Sequence, residues 1–367
     1  MSRRLLASLG ALAVAITAGS WASVGLAGQT RTVSPTTPDR GVVSPKALAA
    51  PKAAEAAKAW TPPRMPWGDP DIAGVFTTDD ELGVPFERPE QFAGRAFVTE
   101  EEFVQRASQA ERQAEVDAQE FVTPRAGAGP EGGGGTGPPS HWGEHGKPSR
   151  RTSIVVDPAD GKIPFVSDEA RQRAARAVNA RTSGNGPFSG PEGLDLYDRC
   201  ITRGFPHLIF PTIYDNTSQI VQGPGYVAIR YEMIHDARVI PLDGRPHVSS
   251  NIRGFFGDSR GHWEGDTLVV DVTNFPANRI NYRGAGGSLH VIERFRRVDA
   301  KTVRYEVTME DPSTFSRPWT AALSLKMDGR QVQVPEYACH EGNYAMTHIL
   351  SGDRAKEKEA AEAAKTR

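Results

Sequence analysis

The segment Gly257 to Pro276 (GDSRGHWEGDTLVVDVTNFP) constrains the fold of this chain more than any other. Between Asp266 and Phe275 its residues alternate, with Leu268, Val270 and Val272 on one side and Val269, Asp271 and Thr273 on the other. That two-residue period is the mark of a half-buried strand. Glycine and aspartate precede it and Asn274 and Pro276 close it, so turn chemistry bounds it at both ends. Similar runs predict strands at 219–222, 226–234, 237–242, 262–264, 289–298, 302–310, 320–327 and 331–337. Asp243-Gly244, Glu264-Gly265-Asp266, Asp299-Ala300 and Asp328-Gly329 supply turns between them. Short strands at this spacing predict a mainly β fold, an antiparallel β-barrel or a two-sheet β-sandwich, with peripheral helices.

The first residues point to export. Arg3 and Arg4 precede an apolar run from Leu5 to Ala18, and Gly25-Leu26-Ala27 offers a small-x-small cleavage site, which reads as a signal peptide over 1–27. The run is shorter than the roughly 20 residues of a spanning helix, so no membrane span is expected after cleavage and the mature protein is placed in the periplasm or outside the cell. The sequence leaves open whether the Sec or the twin-arginine route carries it. Two cysteines, Cys200 and Cys339, then fit one disulfide in an oxidising compartment. Closing a loop of roughly 140 residues removes about 5 kcal/mol of unfolded-chain entropy in the chain-entropy account.

A formal net charge of -2 and short, balanced basic pairs give no electrostatic footprint for nucleic acid. Residues 28–66, rich in Ala, Pro, Thr and Lys, read as a disordered linker that cannot bury enough apolar surface to offset its ordering entropy. Residues 67–196 form an irregular and helical extension. In it, Thr99 with Glu102 opens a helix to Gln119 as a capping box, 127–139 is a glycine-rich loop, and Ser167 caps a helix over 168–181. The β domain is expected over 197–346, and 347–367 as a C-terminal helix or tail.

Five stretches carry a resemblance. They are RYEMIHDARVIPL at 230–242, the 257–275 segment, ERFRRV at 293–298, YEVTMEDP at 305–312 and YACHEGNY at 337–344. Together they resemble a family of exported bacterial proteins without an assigned reaction, over about residues 195–355. The resemblance implies a shared fold and no particular chemistry. Gly261-x-Trp263 is also similar to the short motif of lipocalin-type barrels, which implies a cavity that accepts a small molecule.

No phosphate loop, zinc spacing, nucleophile elbow or dinucleotide fingerprint occurs, so candidate chemistry rests on inward-pointing polar groups. Alternation places Glu293 beside Val291 and Phe295, where a carboxylate must be paired or neutral. It is either a salt-bridge partner of an arginine such as Arg253 or Arg304, or an acid/base group. His235 shares a strand face with Tyr231 and Met233, and histidine is the natural proton carrier near neutral pH; a core histidine bonded to a backbone carbonyl is the other reading. His340 and Glu341 follow Cys339 and would be held rigid by the bridge.

Three functions follow. The first is a binder of an apolar or aromatic small molecule, held in a β-barrel cavity whose interior uses Tyr231, Met233, Trp263, Val270, Val291 and Phe295. The second is an isomerase, dehydratase or hydrolase in which His235 or Glu293 acts as base and Arg253 or Arg260 stabilises developing negative charge. The third is a cell-envelope interaction module. No cofactor is expected; haem, or a metal gathered from distant histidines, remains open because no local His spacing specifies either. The sequence gives no oligomeric state.

Overall fold

The computed structural model describes residues 60–118, 143–182, 188–279, 281–329 and 332–365. The proposed leader, nearly all of the 28–66 linker and the 127–139 loop lie outside the described residues. The fold is mainly β. In chain order the strands are β1 (Gly74–Thr77), β2 (Val155–Asp157), β3 (Thr217–Gly223), β4 (Tyr226–Tyr231), β5 (Ala237–Pro241), β6 (Asp258–Glu264), β7 (Thr267–Thr273), β8 (His290–Asp299), β9 (Thr302–Glu310) and β10 (Trp319–Lys326). The helices are α1 (Glu100–Asp117), α2 (Asp168–Thr182) and α3 (Ala345–Lys365).

All ten strands belong to one antiparallel sheet in the order β5-β4-β3-β1-β10-β9-β8-β7-β6, with β2 also pairing β10. No ladder joins the edge strands β5 and β6 among the described residues, so the sheet is not closed by hydrogen bonds. The two edges still meet through side chains. A β-carbon at Gly261 in β6 would fall 2.8 Å from Ile240 in β5 and 2.6 Å from Leu242, so only glycine lets the edges pack this closely.

The alternation read from the sequence sets the inner face. Registers place Gly261, Val270, Glu293, Val307 and Ala321 in one row across β6 to β10, and Leu268, Phe295, Tyr305 and Leu323 in the next. Apart from Glu293, these rows supply much of the apolar core. Burial of such side chains stabilises by about 1.5–3 kcal/mol each, which makes this face the main support of the fold. The expected helices form with the expected caps. At α1 the Glu102 amide donates to the Thr99 hydroxyl (3.3 Å) and the Thr99 amide to the Glu102 carboxylate (2.7 Å); at α2 the Ala170 amide donates to Ser167 (3.2 Å).

The sheet departs from the sequence reading in three places. β1 and β2 come from the extension ahead of residue 197 and complete the sheet beside β10. No strand forms in the described part of 331–337, where Pro335 removes a ladder donor. The run expected over 226–234 ends at Tyr231. Ile234 and His235 there adopt left-handed backbone (φ 56° and 43°), and the Tyr231 amide bonds the Asp236 carbonyl at 2.8 Å, closing a tight loop into β5. The two-residue period stops with that loop, so His235 does not share the inner face.

Among the described residues, one ion pair with both partners buried lies inside the sheet. Arg238 of β5 donates to the Glu293 carboxylate of β8 at 2.6 Å, and the Tyr305 hydroxyl donates to the same oxygen at 2.9 Å. Arg238 also reaches the Tyr231 hydroxyl (3.2 Å) and lies 4.2 Å from the Phe205 ring centroid. Glu293 is thus a salt-bridge partner, and its arginine is Arg238 in place of the expected Arg253 or Arg304. Removing one member of such a pair strands the other charge. Arg238→Ala is expected to lower unfolding free energy by about 3–5 kcal/mol, whereas the double variant Arg238→Met/Glu293→Leu should lie within about 2 kcal/mol of wild type. Urea denaturation of the three proteins checks this, and equal losses in both variants would contradict it.

Candidate functional site

The inward residues named from the sequence are buried against one another. Tyr231, Val270, Val291, Glu293 and Phe295 are at most 2% exposed, and the Phe295 and Tyr305 rings lie 4.8 Å apart. Met233 is buried in the β4–β5 loop and Trp263 is half-buried against the core. Arg253 is exposed and donates to the carbonyls of Phe275 and Gly287 (2.7 and 3.0 Å). Arg260 points away from the core, pairs with Asp258 at 3.1 Å and donates to the Pro246 carbonyl. The proposed trio of His235, Glu293 and an arginine from 253 or 260 is therefore not assembled: its members face the interior, the exterior and two separate loops.

The disulfide builds a different site. Cys200 and Cys339 are bridged, with their Cα atoms 5.8 Å apart. The bridge draws DLYDRC at 195–200 against EYACHE at 336–341, and both flanks are rich in acids and tyrosine. They line an open cleft of about 750 Å³, completed by Glu144, Tyr214, Asp215 and the first turns of α3 through Met346 and Ile349. Three of the sequence candidates gather here. Glu341 lines the cleft, His340 precedes it, and exposed His235 bonds through Nδ1 to the carbonyl of Tyr337, itself a lining residue.

The tyrosine hydroxyls of the cleft interlock. That of Tyr197 lies 2.9 Å from both Tyr214 and Tyr337. Burial pushes the Tyr197 phenol up to about 12, and Tyr214 further, so the cluster stays neutral.

The floor is acidic. Glu144, Asp215 and Glu232 can each present an oxygen within 4.8 Å of the others. The loop 212–217 positions them: the Glu144 carboxylate accepts from the amides of Asp215 and Asn216 (3.1 and 3.3 Å) and from the Asn216 side chain (2.8 Å), while Glu232 accepts from the Thr217 amide (3.1 Å). The Asn216 side chain also donates to buried Asp79 at 3.0 Å. Burial, with added repulsion from Asp79 and Glu232, pushes Glu144 up to about 8. Burial and the adjoining Glu232 likewise push Asp215 up to about 7. Carboxylates this close are held together by protons or by a cation. Their oxygens suit a hard divalent ion, since calcium takes oxygen ligands at about 2.3–2.6 Å. No histidine belongs to the group.

The sequence reading passed over Glu144, Tyr197, Tyr214, Asp215 and Tyr337. The signal was present in the predicted bridge, which by itself brings the two acid-aromatic flanks together. No family model, curated protein or solved structure matches the chain.

The raised carboxyls fix a direction for the pH response. Folded values of about 8 and 7 lie above those of the unfolded chain, so these protons stabilise the fold fully below about pH 4, and that contribution is lost progressively as pH rises from there through 7 and 8. From this contribution the melting temperature is expected to fall between about pH 4.5 and about pH 8 and to level off above that, and Glu144→Gln should flatten the slope. Identical slopes in the two proteins would contradict the assignment.

Proposed function

We propose that this is an exported binding protein whose ligand is a positively charged small molecule seated in the cleft beside the disulfide. The observation that carries the reading is the chemistry of the lining. Carboxylates of Glu144, Asp198, Asp215, Glu336 and Glu341 surround three tyrosine rings, and no Lys, Arg or His is among the residues that line the cleft. A recess with these groups attracts a cation by charge, and the Tyr214 and Tyr337 rings offer π faces to an ammonium group, that of Tyr197 being already faced by Arg203 at 5.2 Å. The volume suits an organic molecule of modest size. Met346 and Ile349 add an apolar wall, which favours an ammonium carried on an apolar body over a bare ion. The leader read from the sequence supports the exported setting. Two findings agree with it: the bridge between Cys200 and Cys339, and the fact that no helix among the described residues is long and apolar enough to cross a membrane.

Ligand affinity should rise with pH, because deprotonation of Asp215 and Glu144 through about 7 and 8 adds negative charge to the floor. Titration calorimetry of the mature protein with choline, and with its neutral isostere in which carbon replaces the nitrogen, tests the proposal. Choline is expected to bind at least about tenfold more tightly than the isostere, and Tyr337→Ala or Glu341→Gln to weaken it by about tenfold. Equal binding of the two probes, or no binding of choline, overturns the cation reading.

A further inference from the structure

On the outer face of the sheet, away from the interior ion pair, five titratable side chains form an unbroken chain. Asp258 of β6 lies 2.7 Å from His247 Nδ1, and His247 Nε2 lies 2.8 Å from Asp271 of β7. The other oxygen of Asp271 lies 2.8 Å from His290 Nε2 of β8, and His290 Nδ1 lies 3.1 Å from Glu310 of β9. Every nitrogen of both imidazoles faces a carboxylate oxygen. An ionised carboxylate only accepts, so an imidazole nitrogen holds its place in the chain as a donor.

His247 sits in the connection from β5 to β6, residues 242–257, which lies against the outer face of β6 and β7. Apolar packing holds the middle of this strap weakly: Ile252 is 63% exposed and Phe255 42%, while only its end residues Leu242 and Phe256 are half-buried against the core. Polar bonds hold it instead, in two groups. At one end Arg253 binds the carbonyls of Phe275 and Gly287. At the other, His247 binds Asp258 and Asp271, the Val248 amide donates to Asp258 (3.1 Å), Arg260 donates to the Pro246 carbonyl (3.0 Å) and Asn274 to the Val248 carbonyl (3.0 Å). The remaining charges near this end are Arg260, paired with Asp258, and Asp243, paired with Arg245 within the strap.

We propose that the segment around His247 is a proton-operated latch, closed over β6 and β7 while the His290 imidazole that shares Asp271 with His247 is charged and released when His290 loses its proton. Arg253, bound to the carbonyls of Phe275 and Gly287, keeps its own end attached. The electrostatics agree in sign. Hydrogen bonding to Asp271, reinforced by the charges of Asp271 and Glu310, outweighs burial and raises His290 to about 9. Burial pushes Asp271 up, yet His290 and His247 outweigh it and hold that carboxyl below its usual range. A histidine raised in this way contributes stability fully below about pH 6.5 and loses it as pH climbs through 9.

Amide hydrogen exchange on the intact protein, normalised for intrinsic rates, tests the latch. Residues 243–251 are expected to lose about tenfold of their protection between about pH 7 and about pH 10, with β8 and β9 unchanged. His247→Gln should show low protection in this segment at both pH values, and so should His290→Gln at the far end of the chain. Flat protection in the wild-type protein, retention of the wild-type pH profile in both variants, or simultaneous loss in β8 and β9 overturns the proposal.

Discussion

The bond from Arg238 to Glu293 sets the terms for the rest of this molecule. The sheet begins at β5 and ends at β6 with no ladder between them, so its curl must be kept by side chains that cross the seam. Arg238 does so from the edge strand β5, reaching past β6 and β7 to β8. Gly261 removes the side chain that would stand in the way of Ile240 and Leu242. A buried pair of this kind adds little net stability over apolar packing, but it penalises any arrangement in which the two charges are separated. It therefore acts on which curled form the sheet adopts more than on how stable that form is.

A sheet filled in this way leaves its outer surfaces for chemistry. The polar groups at its centre answer one another only in part: one oxygen of Glu293 accepts from both Arg238 and Tyr305 and Tyr231 accepts from Arg238, while Glu293 Oε2 and Arg238 Nη1 are buried without a hydrogen-bond partner. Outside, at the floor of the cleft, burial and crowding keep Glu144 and Asp215 largely protonated near neutrality, and charge develops there as pH rises. That floor is held by the loop before β3 and by the segment tied down at Cys339. The disulfide thus has a local consequence beyond restricting the unfolded chain, since it aligns the two walls of the cleft.

Much of the sheet was legible in the sequence because its strands alternate cleanly. The limits of β7 and β9 coincide with their hydrophobic periods, and the outward position of Asp271 followed from the same pattern. What escaped was conformation without a period. Ile234 and His235 turn left-handed with no glycine to announce it, so His235 was carried onto a face it does not occupy. β1 and β2, four and three residues long, read as short extended pieces in the sequence, but nothing in so short a run tells that they pair into the sheet beside β10. Glu144 follows the glycine-rich stretch, and nothing local ties it to Asp215 some seventy positions later; only the folded chain brings them together. His247 was equally hidden, since a loop histidine acquires its meaning from strands that it does not belong to.

The central claim is that the ligand site is the acidic, tyrosine-lined cleft and not the interior of the sheet. Amide chemical-shift mapping during titration with a trimethylammonium probe tests it most directly. The account predicts perturbations at 143–146, 195–216 and 336–349, with the amides of Val270, Glu293 and Tyr305 unmoved. Shifts concentrated on those interior strands, with the cleft silent, would contradict it.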